Sequence, residues 1–226
     1  MGEKPANPEL LDWLASRFVE SGWSIKAMHR LMLLSNTYRQ SSAITPEKAE
    51  KDPANRLWSH FSRRRMDIEE IRDSMLALDG SLTFDGPGRD AQMAKPDAST
   101  RRSMYLLVRR ANVPTLFNLF DFVDATTSSE GRSQTNVAPQ ALFMMNSGFV
   151  RERSRNLAES LFADIGDDDR SALRRLYLRV LGRPPKQDEV AQAMDYTAAF
   201  RGESRRQAWQ SYCRILLASN EFLYVD

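Results

Sequence analysis

Cysteine occurs once and histidine twice in 226 residues, and these two scarcities exclude more chemistry than any motif does. A single thiol, Cys213, cannot build an internal disulfide framework. It sits in the apolar run Cys213-Arg214-Ile215-Leu216-Leu217, which reads as a buried, inert side chain. His29 and His60 fall in no haem-attachment motif, zinc helix or cluster with metal-ligand spacing. No metal and no resident cofactor is therefore expected. His29 stands among Met28, Leu31 and Met32 and reads as a satisfied structural histidine rather than a base. There is no G-x-S-x-G elbow and no phosphate-cradling glycine loop, and Gly86-Pro87-Gly88 is turn chemistry. No apolar run reaches the length of a membrane span. No apolar core follows Met1-Gly2-Glu3-Lys4-Pro5, as a secretory signal would require.

Lysine is scarce as well. Only Lys4, Lys26, Lys48, Lys51, Lys95 and Lys186 are lysine, and the remainder of the 32 basic residues are arginine. Arginine forms planar, two-pronged pairs with carboxylates and keeps its charge when partly buried. With 30 acidic residues and a net charge of +2, pairing inside a helical domain is the reading favoured over a nucleic-acid surface. What the chain does have is an ordinary globular composition, 42% apolar and 27% charged. A chain of this length buries enough surface to fold without a staple.

Punctuation along the chain points to helices. Asn7 caps and Pro8 opens a first helix that Gly22 ends, with Leu10, Leu11, Leu14 and Phe18 on one face and Trp13 at its flank. Ser24 caps a second, running towards Ser35. Residues 36–52 read as a loop broken by Pro46, and Asp52-Pro53 as the start of a short helix carrying Leu57, Trp58 and Phe61. Asp67 and Glu70 have capping-box spacing before the stripe Ile68, Ile71, Met75 and Leu78. Residues 81–100 show little periodicity and read as a mobile loop. Ser103 to Arg109 is the one convincing strand candidate, though its apolar run also suits a helix. Pro114 to Phe120 is one or two helical turns, and Pro139 and Phe149 begin further helices. Three more follow, Asp169–Leu181, Asp188–Phe200 and Ser204–Ala218, each stopped by glycine, proline or both where one is available. The fold class expected is mainly α, a multi-helix domain with a small β element and a C-terminal three-helix unit. The division expected is a helical domain over 1–166, with a polar loop and short strand, and a helical subdomain over 167–226 packed on it.

Two features rise above this background. The first is Arg63-Arg64-Arg65 before the capped helix. A phosphate contact is one reading, but no aromatic platform or long basic stripe accompanies it, so salt bridges to Glu69, Glu70 or Asp73 are favoured. The second is the polar stretch 121–146, with Asp121, Asp124, Glu130, Arg132, Asn136, Gln140 and Asn146. Asp121 and Asp124 have the spacing to share a hard cation or an acid–base task, though a calcium loop needs more oxygen ligands. The alternative, which is favoured, is a polar loop tied down by its own turns. Asp121, Asp124, Arg132, Gln140 and Asn146 are the candidate cluster, ligand-binding or structural, and no catalytic residue is assigned.

At these residues the chain resembles a known family. The motifs include Asn7-Pro8-Glu9-Leu10-Leu11-Asp12-Trp13-Leu14-Ala15 and Leu34-Ser35-Asn36-Thr37-Tyr38-Arg39-Gln40-Ser41-Ser42. Asp52-Pro53-Ala54-Asn55-Arg56-Leu57, Arg63-Arg64-Arg65-Met66-Asp67 and Glu70-Ile71-Arg72-Asp73 follow. Then come Phe120-Asp121 with Asp124, Thr135-Asn136-Val137-Ala138-Pro139-Gln140-Ala141-Leu142, Leu181-Gly182-Arg183-Pro184-Pro185 and Ser219-Asn220-Glu221-Phe222. In order, they make the chain similar to the planctomycete domain of unknown function that closes large proteins also carrying a planctomycete cytochrome-c-like domain. The resemblance implies an exported, multidomain parent with haem- or carbohydrate-binding modules upstream, and a closing domain with no assigned activity. It transfers no haem, sugar site or catalytic residue to this chain. The expected role is non-catalytic docking or scaffolding in an extracytoplasmic assembly. The partners are the parent's upstream domains or another protein, and an exposed apolar patch around Trp13 and Trp23 would favour self-association. The competing role is an enzyme or ligand-binding domain for polysaccharide-derived substrates, using residues 121–146. Nucleic-acid binding through the arginines is the weaker third.

Overall fold

The structure, a computed structural model, describes the chain apart from residues 1–3, 87–96, 110–112, 125, 127, 129–130, 166–167, 203 and 226. Two compact units divide it, Met1–Arg64 and Arg65–Val225. The boundary expected near residue 166 falls inside the second unit. The expectations for Pro87, Gly88 and Glu130 lie outside the described residues. Among the described residues, no helix is long and apolar enough to cross a membrane.

In the N-terminal unit, α1 (Pro8–Glu20) is capped by Asn7, whose side chain accepts from the Leu10 amide. It ends in a turn with Gly22 at φ 71° and Trp23 at φ 60°. Ser24 caps α2 (Ile25–Leu33) in the same way through the Ala27 amide. The next helix differs from the sequence expectation. Pro46 does not break a loop but starts α3 (Pro46–Lys51), with Thr45 as its cap. Proline suits a first turn, where its missing N–H has no partner to lose. The helix expected after Asp52-Pro53 does not form. Asp52 is buried, and its carboxylate instead accepts the amides of Arg56 and Leu57 at 2.8 and 2.9 Å. Asn55 and Trp58 take left-handed φ values of 49° and 53°, which no right-handed helix can contain. None of α1, α2 and α3 buries a residue. His29 is exposed on α2 with no hydrogen-bond partner among the described residues, so it is not the satisfied histidine expected.

The second unit holds the core. Its helices are α4 (Ile68–Leu78), the short α5 (Thr115–Leu119), α6 (Ala138–Asn146) and α7 (Gly148–Ile165). They continue with α8 (Asp169–Val180), α9 (Gln187–Ala199), α10 (Arg205–Leu217) and the one-turn α11 (Asn220–Leu223). The most extensive packing is α10 on α7. In α10, Ala208, Trp209, Tyr212, Cys213, Leu216 and Leu217 are all buried, a spacing that turns one helical stripe inwards. They meet Leu157 and Leu161 of α7 and Leu173 and Leu176 of α8, all fully buried. Burial pushes the Cys213 thiol pKa well up, consistent with an inert side chain.

The chain is mainly α with a small β element, but that element is not where the sequence suggested. It is a two-stranded sheet of β1 (Arg64–Arg65) and β2 (Tyr224–Val225). Residues 103–109 form no strand of a sheet: Ser103–Tyr105 is a single 3-10 turn. The reason is local. The Ser103 amide and hydroxyl both donate to the Asp73 carboxylate, at 2.8 and 2.7 Å. Arg72, with no exposed side-chain surface, donates to the Arg101 carbonyl at 2.9 Å and to the Ser103 hydroxyl at 3.1 Å. Backbone groups that a strand would spend on a neighbour are spent on this ion pair.

Candidate functional site

Phe120 ends α5, and Asp121 follows it at φ 61°. That left-handed residue turns its carboxylate back towards β1 and the chain ahead of α6. There it accepts from Arg65 Nη2 at 2.7 Å, the Thr135 amide at 2.9 Å and the Thr135 hydroxyl at 2.7 Å. Burial works against its ionisation, and the bonds from Thr135 and Arg65 outweigh burial, so the carboxyl pKa lies below its ordinary value. Arg65 Nη1 donates to Gln140 Oε1 at 2.9 Å and to the Thr135 carbonyl. Gln140, itself buried, donates from Nε2 to the Leu119 carbonyl at 3.0 Å. The Phe120 ring lies under the Arg65 guanidinium at 5.9 Å. The result is a closed knot that joins β1, the end of α5 and the start of α6.

The other candidates go elsewhere. Arg132 makes a two-pronged pair with Glu69 at 2.6 and 2.7 Å, with Asp67 at 3.6 Å. Asp124 accepts the Thr126 amide and hydroxyl at 2.8 and 2.7 Å, an Asx turn. Asn146 stands exposed at the end of α6. Asp121 and Gln140 thus converge on Arg65, a residue for which the sequence suggested Glu69, Glu70 or Asp73. Glu69 is taken by Arg132, and Asp73 faces Arg72 at 3.2 Å.

Sequence reasoning passed over Arg65, Arg72 and Arg153 as individuals. All three are buried, and Arg153 pairs at 2.9 Å with Asp79, whose side chain has no exposed surface. The preference for arginine over lysine was the signal that could have found them. Among the described residues, no three His, Cys, Asp or Glu side chains are grouped so as to hold a metal ion.

A second feature lies in the N-terminal unit. A groove of about 440 Å³ runs between Leu10, Trp13 and Leu14 of α1, Leu31 and Met32 of α2, and the segments carrying Tyr38, Asn55, Trp58, His60 and Phe61. The Asn55 side chain donates to the His60 carbonyl at 2.8 Å and to the Ser62 hydroxyl at 2.9 Å. Gln40 Nε2 donates to the Trp58 carbonyl at 2.9 Å, and the Phe61 amide to the Ser41 carbonyl at 3.1 Å. The wall of the groove is therefore fastened at several points. Exposed apolar side chains also stand outside its lining, among them Leu11, Val19, Trp23, Ile25, Leu33 and Leu34.

Residues 1–197 match the model of a family described as protein of unknown function (DUF1553). No curated protein matches the chain, and no solved structure does.

Proposed function

The chain belongs to the DUF1553 family of proteins of unknown function, and we propose that it is a non-catalytic docking module whose N-terminal unit packs against another protein domain. One observation carries this reading: a unit with three helices buries no residue of any of them while exposing a run of large apolar side chains. Roughly sixty residues make a marginal domain even when well packed. Apolar surface in excess of what a fold needs is characteristic of an interface. The occupant that suits it is an apolar, uncharged face of a neighbouring domain, in the same larger protein or in a partner. The exported, multidomain setting implied by the family resemblance belongs to the same proposal. Residues 121–146 support docking over ligand binding, because Asp121 and Gln140 are committed to Arg65 and Thr135 rather than presented to an open cavity.

The test is a set of charge substitutions chosen to suit each helix end, Leu11→Glu, Ile25→Glu and Leu34→Lys. If these side chains serve docking and not folding, the triple variant keeps the parent's urea midpoint, as surface changes within about 0.5 kcal/mol do. A loss of more than about 2 kcal/mol, the scale of burying a charge in a core, would show that the face belongs to the fold.

A further inference from the structure

We propose that the groove of the N-terminal unit is a binding site for a neutral, largely apolar ring compound that carries one hydrogen-bonding group. This does not rest on the docking reading, whose test positions Leu11, Ile25 and Leu34 lie outside the groove lining. Its volume of about 440 Å³ falls within the range of about 300–1,000 Å³ typical of small-molecule sites. Its apolar lining includes Leu10, Trp13 and Leu14 at i, i+3 and i+4 on α1, and Tyr38, Trp58 and Phe61 add aromatic rings. No Asp, Glu, Lys or Arg lines it, so a permanently charged ligand would lose its water without gaining a counter-charge.

Ser35, Thr37, Tyr38, Asn55 and Ser62 also line the groove, but Thr37 and Tyr38 are exposed and Ser35, Asn55 and Ser62 already hold bonds within the unit. That leaves the half-buried His60 as the polar group placed to orient a ligand. Its Nδ1 lies 3.1 Å from the Ser59 hydroxyl. Its Nε2 has no protein partner among the described residues, although the side chain is half-buried and lines the groove. The wall that carries it is held in one shape. The left-handed Asn55 and Trp58 each cost on the order of 1 kcal/mol, and the Asn55 and Asp52 hydrogen bonds offset that strain. A wall fixed before binding loses little entropy when a ligand arrives.

The experiment titrates the full chain with phenylnaphthylamine, a neutral aromatic amine that fluoresces when it leaves water, and with its charged relative anilinonaphthalene sulfonate. The neutral probe should bind saturably at one equivalent, about tenfold more tightly than the sulfonate. Trp13→Ala should weaken it at least about tenfold, while Trp13→Phe, which restores an aromatic wall, retains binding. His60→Phe should weaken the amine probe but not phenylnaphthalene, which lacks the N–H. Far-UV circular dichroism checks that each variant is folded. Non-saturating uptake, equal affinity for the sulfonate, or binding unchanged by Trp13→Ala would each overturn the proposal.

Discussion

Arg65 and Asp121 lie 56 residues apart in sequence and meet at 2.7 Å, with 7% and 12% of their side chains exposed. The pair is a bolt rather than a reactive site, since each carboxylate oxygen is already bonded to Thr135. Asp121→Ala strands a buried guanidinium and should cost about 3–5 kcal/mol in urea denaturation. Asp124→Asn, at an exposed Asx turn, should cost under about 1 kcal/mol. A combined Asp121→Asn and Asp124→Asn variant that melts at or above the parent would contradict the structural role and turn attention to this loop as a ligand site.

Acid sensitivity should come in part from Glu189. Hydrogen bonding to Arg183 holds its carboxyl down at about 2, against an ordinary 4.5. A carboxyl with a depressed folded pKa contributes stability that is complete above its unfolded value and is lost as pH falls through the folded one. The stability difference between parent and Glu189→Gln should therefore be constant above about pH 5, shrink from about pH 4.5 downward and vanish near pH 2. A difference independent of pH over that window would show that the Arg183 pair contributes nothing through ionisation.

At the start of α4 the capping spacing was legible, but the two partners contribute unequally. Glu70 Oε2 accepts the Asp67 amide at 2.8 Å, whereas the Asp67 carboxylate makes no capping bond and lies 3.6 Å from Arg132. Glu70→Ala should cost about 1 kcal/mol. Asp67→Ala, which removes only a partly exposed ion pair, should cost less, within about 0–1 kcal/mol. The reverse order in thermal melts would restore Asp67 as the working cap.

How much could be read beforehand follows from how local each signal is. Asn7, Ser24 and the glycine and proline stops around α8, α9 and α10 act on their own turns, so the helices appear nearly where the spacing places them. The β element could not be read, because it pairs two-residue strands from Arg64–Arg65 and Tyr224–Val225. The Ser103 segment misled because β-propensity reports packing on a half-buried surface, and here Arg72 and Asp73 claim the backbone first. Pro46 starts a helix rather than breaking a loop, because proline opens helices as readily as it ends them. In the candidate cluster, Asp121 and Gln140 were visible as polar residues flanking apolar ones. Arg65, which gathers them, was tied by sequence distance to the wrong carboxylates.

The docking account is tested most directly by sedimentation velocity of the full chain over a wide concentration range, alongside the Leu11→Glu, Ile25→Glu, Leu34→Lys variant. With its apolar face uncovered, the parent should associate as concentration rises, and the variant should remain monomeric while keeping the parent's urea midpoint. A parent that stays monomeric throughout, with the variant sedimenting identically, would contradict the premise of the account, that this face presents more apolar surface than the fold needs.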